Sequence, residues 1–296
     1  MRFSLSFVWV NKYSVIGMDI GMKISVFYEH ILEAAQQEKK SPEAICEKVS
    51  SFGISGVEIE NTRLMNEKEK VLNALKAGNL EISCMYGFFD FAHQSKEDAL
   101  KAGMDMVNLA DEFGIKKIML IPGFLRKFEF LPIIYKKKVN QMVEVLRNIC
   151  SYAKDKKIMV VLEDFDGKEA PFATSKQLHY FINAIDDLYC AFDTGNFLYS
   201  EENALEVLPL FLDKIGHVHC KDRSFEITEG ETPKATVKGR NMYSCAVGSG
   251  VIAMKEIVKK IVDKGYDDYF AIEHFGSLHQ LRDMEKSVYW LTEHLQ

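Results

Sequence analysis

Three carboxylates and one imidazole occupy corresponding places in this sequence, each at the end of a short apolar run. Glu163 closes "IMVVLE" (158–163), Asp193 closes "YCAFD" (189–193), His219 stands in "GHVHC" (216–220) and Glu273 closes "YFAIE" (269–273). Taken alone, a polar residue after such a run is more often a helix cap than a ligand. Four at successive run ends reverse that inference. Side chains alternate along a strand, so Val161, Ala191, His217 and Ala271 share the parity of the four, one layer below. Neighbouring strands lie about 4.8 Å apart, close enough for all four groups to meet one cation. An oxygen-rich set with one nitrogen suits Mn2+, Mg2+, Co2+ or Zn2+ rather than a soft thiolate metal. A cation so held polarises a ketone and stabilises an enediolate, so proton transfer next to a carbonyl is the chemistry that fits.

For the four to converge, their runs must be parallel strands ending on one face of one sheet. Eight such runs recur: "KISVFY" (23–28), "GVEIE" (56–60), "EISCMY" (81–86), "KIMLIP" (117–122) and the four at 158–163, 189–193, 216–220 and 269–273. They are continuous apolar runs, as strands covered on both faces are. Amphipathic helices separate them. Ser41-Pro42 supplies a cap and an N1 proline before Ile45, Val49 and Phe52. Asn66 with Glu69, and Ser95 with Asp98, form cap pairs at a three-residue offset, and Gly78 and Gly114 are expected to close those helices. Residues 131–153 and the final helix carry long apolar faces. Eight strands alternating with helices are what a single (β/α)8 TIM barrel requires. A nucleotide-binding doubly wound sheet would need a glycine-rich loop after its first strand. "VFYEHILEAA" has none, and the later "VGSG" (247–250) reads as a tight βα turn.

Composition agrees with a soluble α/β enzyme. Of 296 residues, 47% are hydrophobic and 27% charged, enough for one large core. A net charge of −6 gives no reason to expect nucleic acid as a partner. No apolar run approaches the roughly 18 residues that cross a bilayer. The six cysteines form no C-x-x-C pair and mostly sit in apolar runs, which fits reduced thiols in a cytoplasmic protein. Residues 1–21 are apolar in part but carry no small-residue cleavage motif. They are expected to be an N-terminal extension without a catalytic role, with the catalytic barrel spanning 22–296. Oligomeric state is not readable, and a homo-oligomer is compatible with the sequence.

The motifs "LEDF", "FDTGNF", "HVHCKD", "VGSG" and "IEH", in this order, resemble those of the xylose isomerase-like barrels of sugar isomerases and epimerases. The resemblance spans roughly residues 22–294 and extends to ketose 3-epimerases, hydroxypyruvate isomerase, inosose dehydratase and, more distantly, endonuclease IV. It implies that Glu163, Asp193, His219 and Glu273 are the metal ligands and that the two glutamates are the acid/base pair. One departure is informative. Many relatives read D-x-x-H where this chain has Asp193-Thr194-Gly195-Asn196. Asn196 cannot act as that imidazole, and with eight histidines, few of them at strand ends, a trinuclear phosphodiesterase site is disfavoured.

Further residues are expected around a substrate. Lys221 continues the inward parity beyond His219, and Arg223, Lys238 and Arg240 follow in a long segment that could hold a phosphate. Glu60 ends the second strand and His93 follows the aromatic "YGFFDF"; with Asn196 they complete the expected substrate-binding set. His217 is expected as a hydrogen-bonded core residue beneath the metal, and Cys220 as an outward thiol packed under a helix.

The reading reached here is a divalent-metal-dependent isomerase or epimerase of a sugar or sugar phosphate. Epimers result if the two glutamates work on opposite faces, isomers if the proton moves to the next carbon. The same enolate could instead expel a β-hydroxyl, making a keto-polyol dehydratase the nearest alternative. An endonuclease-like phosphodiesterase and a sugar-sensing module without turnover are weaker ones. Since the eight-fold pattern is complete without residues 1–21, a chain starting at Met22 should keep its fold and kinetic constants. Loss of soluble protein on that truncation would show that the extension packs as part of the barrel.

Overall fold

The eight apolar runs pair in parallel, each with its neighbours in the chain. In the computed structural model, which describes residues 23–295, they form β1 (Lys23–Phe27), β2 (Gly56–Glu60), β3 (Glu81–Phe88), β4 (Lys117–Ile121), β5 (Met159–Leu162), β6 (Leu188–Asp193), β7 (Ile215–Cys220) and β11 (Tyr269–Ile272). β11 returns to β1 in register from Lys23↔Tyr269 to Val26↔Ile272, so the sheet closes into a barrel and leaves no edge. The chain therefore has the (β/α)8 fold. Between β7 and β11 it makes one excursion: β8 (Asp222–Ser224), β9 (Lys234–Ala235) and β10 (Asn241–Cys245) form a small antiparallel sheet in the order β8-β10-β9. These strands follow "HVHC", in the stretch whose sequence showed little beyond scattered charges.

Two irregularities interrupt the barrel register. Val57 pairs with Ile82 but Glu58 with Cys84, so Ser83 is an extra residue in β3. Likewise Cys190 pairs with Ile215 but Ala191 with His217, making Gly216 the extra residue in β7. A bulge bends its strand and re-aims the side chains beside it. Both bulges lie below the layer that carries the four candidate ligands.

Helix signals were honoured unevenly. Ser41 Oγ accepts from the Ala44 amide at 3.3 Å and Ser95 Oγ from the Asp98 amide at 3.1 Å, as cap residues should. The Asn66–Glu69 cap expected from the sequence does not form. Asn66 ends one short helix, Asn61–Asn66, and the next, Lys68–Gly78, starts after Glu67 without a side-chain cap. Gly78 is also not the left-handed residue. Asn79 takes that conformation at φ 50°, while Gly78 stays helical because the helix packs there directly on another backbone. Gly114 does adopt positive φ, at 70°.

The extension expected at residues 1–21 lies outside the described residues. Among the described residues no helix is long and apolar enough to cross a membrane. Five of the six free cysteines are buried, Cys220 among them, and Cys245 is half-buried. A Cβ at position 78 would sit 2.5 Å from the Cys46 carbonyl oxygen. Gly78→Ala should therefore lower the unfolding free energy by roughly 1–3 kcal/mol through overpacking. Gly114→Ala meets no atom within 4 Å and should lose only the left-handed strain, about 1 kcal/mol. Urea titration of the two variants checks the order.

Candidate functional site

At the carboxyl ends of β5, β6, β7 and β11 the four expected ligands meet. One ligand atom from each of Glu163, Asp193, His219 and Glu273 lies within 4.8 Å of all the others, and all four residues are buried. His219 Nδ1 is the hub, 3.0 Å from Glu163 Oε2, 3.3 Å from Glu273 Oε2 and 3.8 Å from Asp193 Oδ2. Register explains the convergence. Asp193 pairs with His219 directly, while Glu273 stands two residues beyond Ala271, the partner of His219 on the other side.

Local structure holds each ligand in place. The amides of Gly195 and Asn196 both donate to Asp193 Oδ1 at 2.7 Å. That turn fixes one carboxylate oxygen and leaves Oδ2, buried and without a hydrogen-bond partner, facing the cluster. Thr194 Oγ1 donates to the carbonyls of His219 and Lys221 and accepts from the Lys221 amide, knitting "DTGN" to the end of β7. Position 195 must be glycine for that contact, since a Cβ there would lie 2.7 Å from the Lys221 carbonyl. Asp222 accepts from the amides of Arg223, Gly248, Gly250 and Ile252, at 2.8 to 3.2 Å. "VGSG" is thus a turn folded on a carboxylate, as its turn reading required.

Lys221 is the cation inside the cluster. Its ammonium bonds Glu273 Oε1, donates to Asn196 Oδ1 at 2.7 Å and lies 3.6 Å from Asp193 Oδ2. Three carboxylates against this one ammonium leave two negative charges uncompensated when His219 is neutral. A divalent cation would balance that charge, and the orphaned Asp193 Oδ2 would be one of its ligands. The donor set fits Mn2+, Mg2+, Co2+ or Zn2+ and does not discriminate between them.

The electrostatics of the two glutamates differ. Burial pushes the Glu163 carboxyl up to about 7, against the pull of His219. For Glu273 burial is outweighed by Lys221 and His219, which hold it well below the usual carboxylate range. Burial raises Asp193 as well. His219 goes the other way: burial disfavours its charge, but Glu58 and the three carboxylates hold it well above an ordinary imidazole. Asp164, next to Glu163, is fully buried and raised by that burial and by Asp193 and Glu163. The run "VVLEDFDG" therefore ends in three carboxyls of different kinds: a member of the cluster in Glu163, a fully buried acid in Asp164, and in Asp166 a pocket residue paired with Arg223 and Lys234.

Above the cluster lies a cavity of about 550 Å³. Phe27, Tyr86, Phe88, Phe165 and Phe275 line its walls, and the excursion contributes Thr232, Pro233, Lys234 and Met242. Of the expected substrate residues, Lys221, Arg223 and Asn196 line it. Glu60 and His93 are not among its lining residues. His93 is instead held by Asp90 and by Glu129, 2.8 Å from its Nε2, in the loops after β3 and β4. The phosphate subsite expected around Lys221, Arg223, Lys238 and Arg240 is not assembled. Lys238 and Arg240 lie outside the cavity lining, and Arg240 pairs with Glu201 at 3.0 Å over the Phe225 ring. Arg223 and Lys234 both pair with Asp166, at 3.2 Å each. Lys234 and Asp166 were missed as pocket residues, since nothing in the sequence shows that the excursion folds back over β5.

The chain matches the model of a protein family described as "Xylose isomerase-like TIM barrel" over residues 46–294. It is 25% identical over 234 residues to an inosose dehydratase of Clostridium perfringens, covering 75% of this chain and 78% of that one. Among solved structures, D-psicose 3-epimerase from Clostridium cellulolyticum H10 superposes with a TM-score of 0.70 at 15% identity, over 93% of this chain and 100% of the other. A xylose isomerase-like TIM barrel protein from Mycobacterium smegmatis, in complex with magnesium, gives 0.63 at 18%, over 86% and 89%. The two structural likenesses speak to the fold.

Protons compete with a cation for this cluster. Divalent-cation affinity should be weak below the Glu163 pKa of about 7 and rise to a plateau above it. Asp193→Asn should weaken binding more than about tenfold at every pH, by analogy with losses of ligand-supporting groups. Calorimetric titration with Mn2+ across that range checks both; pH-independent affinity would show that these carboxyls are not ligands.

Proposed function

Because the chain belongs to the xylose isomerase-like TIM barrel family, we propose that it is a divalent-cation-dependent dehydratase of a keto-polyol of the inosose type. Similarity to an inosose dehydratase over three quarters of the chain supports this reading. The single observation that carries it is the ammonium of Lys221 seated on Glu273 at the cavity wall. An epimerase needs two bases of comparable freedom, one on each face of the substrate. Here Glu273 is engaged by a lysine and Glu163 is not, so the isomerase or epimerase expected first from the sequence gives way to its alternative.

Glu163, Asp193, His219 and Glu273 would hold the cation, which when bound supplies a Lewis acid for the ketone oxygen. Glu163 takes the proton from the carbon beside the ketone. The electron pair left behind forms a carbon–carbon double bond as the hydroxyl on the next carbon departs. Lys221 donates a hydrogen bond to that departing oxygen, and the proton held by Glu163 completes it as water. One glutamate thus serves both halves of the elimination, while Glu273 positions the lysine.

The substrate is unphosphorylated on this reading. Each cation of the cavity already faces a carboxylate: Lys221 faces Glu273 and Asp193, while Arg223 and Lys234 face Asp166. The aromatic walls suit the C–H face of a polyol ring. Incubation with an inosose in heavy water, followed by mass spectrometry, separates the two chemistries. A dehydratase gives a product lighter by one water; an isomerase or epimerase exchanges deuterium into a ketose without losing mass. Glu163→Gln should lower kcat by about 10²–10⁴-fold, with cation occupancy reduced far less. Deuterium exchange into ketoses with no water lost from any keto-polyol would restore the epimerase reading.

A further inference from the structure

We infer that Lys117 and Glu58, at the floor of the barrel, fix the tautomers of His217 and His219 and so present the ligating nitrogen of His219 to the cation. Both are positioning residues, and the inference rests on the reading of the cluster above as a divalent-cation centre. Lys117 opens β4 with its side chain buried, and its Nζ donates to Asp268 Oδ2 at 2.7 Å. The same Nζ is 3.1 Å from His217 Nδ1. An ammonium has only protons to give, so His217 Nδ1 must accept, and the ring proton must sit on Nε2. That Nε2 lies 2.5 Å from Glu58 Oε1. A carboxylate only accepts, and Glu58 Oε1 is also 3.3 Å from His219 Nε2. His219 Nε2 is buried and makes no hydrogen bond, so the facing charge of Glu58, rather than a formed bond, favours keeping the ring proton on that nitrogen. Its Nδ1 is left for Glu163, Asp193 and Glu273.

In the column Asp268–Lys117–His217–Glu58–His219, hydrogen bonds fix the donor and acceptor order as far as Glu58, whose carboxylate charge then faces His219 Nε2 across 3.3 Å. Two of its members, His217 and Glu58, stand where the register is broken. Glu58 follows the bulge at Ser83, whose hydroxyl donates to the Val57 carbonyl at 2.9 Å. His217 follows the bulge at Gly216, where a Cβ would lie 2.6 Å from Met159 Sδ. Bulges of this kind re-aim side chains, and here both aim into one column. Glu58, His217 and Cys84 are also close enough to suggest a second metal site. The ammonium of Lys117 already supplies the positive charge there, so that site is not needed. As scaffolding alone the column would be a poor choice, because apolar side chains of similar volume stabilise a core as well or better. A carboxylate behind a ligating imidazole, by contrast, raises its affinity for metal, and Glu58 stands 3.3 Å behind His219 Nε2.

The test uses the full chain with Lys117→Met, Glu58→Gln and Lys117→Arg. Zn2+ and Mn2+ affinities are measured by calorimetry, and ring nitrogen shifts of the histidines by NMR. Expected are an Nε2–H tautomer for His217 in the wild type, and Zn2+ on Nδ1 of His219 in the loaded protein. Lys117→Met and Glu58→Gln should bind both cations about 10–100-fold more weakly, and Lys117→Met should mix the His217 tautomers. Lys117→Arg, which still only donates, should keep the wild-type spectrum and most of the affinity. Folded variants with wild-type affinity, or a wild-type His217 protonated on Nδ1, would overturn the positioning role alone. Should Lys117→Met not fold, Glu58→Gln and the wild-type spectrum decide. A wild-type protein that binds neither cation would overturn the metal reading, and this inference with it.

Discussion

Glu163, Asp193 and Glu273 are buried carboxylates whose oxygens crowd around one imidazole nitrogen. In a water-poor interior such like charges repel strongly, and desolvation penalises each of them separately. Positive charge must therefore be brought to them, and much of the surrounding structure serves that need. Lys221 comes from the residue just after β7, carried into place by Thr194 and Asn196. With His219 neutral, Lys221 leaves two negative charges unbalanced, which one divalent cation would offset.

That requirement also separates the roles of groups that look equivalent in the chain. Glu163 and Glu273 both close an inward-facing strand position, yet only Glu273 receives the lysine. The difference comes from barrel geometry: β11 is hydrogen-bonded to β7, which Lys221 directly follows, whereas β5 is separated from β7 by β6. A glutamate held only by the imidazole of His219 on one side and one tied to an ammonium as well on the other form an asymmetric pair. Elimination can use such asymmetry, whereas reversible proton exchange on two faces gains nothing from it.

Below the metal layer the barrel is not the uniformly apolar core that its continuous hydrophobic strands imply. Glu58, Lys117 and His217 lie buried under the cluster, paired with one another. Lys117 is balanced by Asp268, and with His217 neutral the charge of Glu58 remains, facing His219 from below. The excursion β8-β10-β9 plays the corresponding part at the mouth. It brings Lys234 and Arg223 onto Asp166 and closes one side of the cavity with chain that belongs to no barrel strand.

Much of this was legible in the amino-acid sequence because it follows from local periodicity. Each of the eight barrel strands lies within a residue or two of its apolar run, and the convergence of Glu163, Asp193, His219 and Glu273 follows from strand-end position and parity. Asn196 was expected beside the substrate and lines the cavity, although its bond to Lys221 was not visible. Other features required the folded chain. Asn79 rather than Gly78 takes the left-handed turn because helix Lys68–Gly78 must touch the backbone at Cys46. Glu60, His93, Lys238 and Arg240 occur where a pocket was expected and lie outside its lining, because loop paths are set by distant partners such as Glu129 and Glu201. The inward aim of Glu58 and His217 depends on bulges at Ser83 and Gly216, each an extra residue defined only against the neighbouring strand. Alternation along one strand is a property of that strand's own backbone, so the sequence determines it. Register, bulges and the pairing of charges across the barrel are relations between strands remote in the chain, and only tertiary structure decides them.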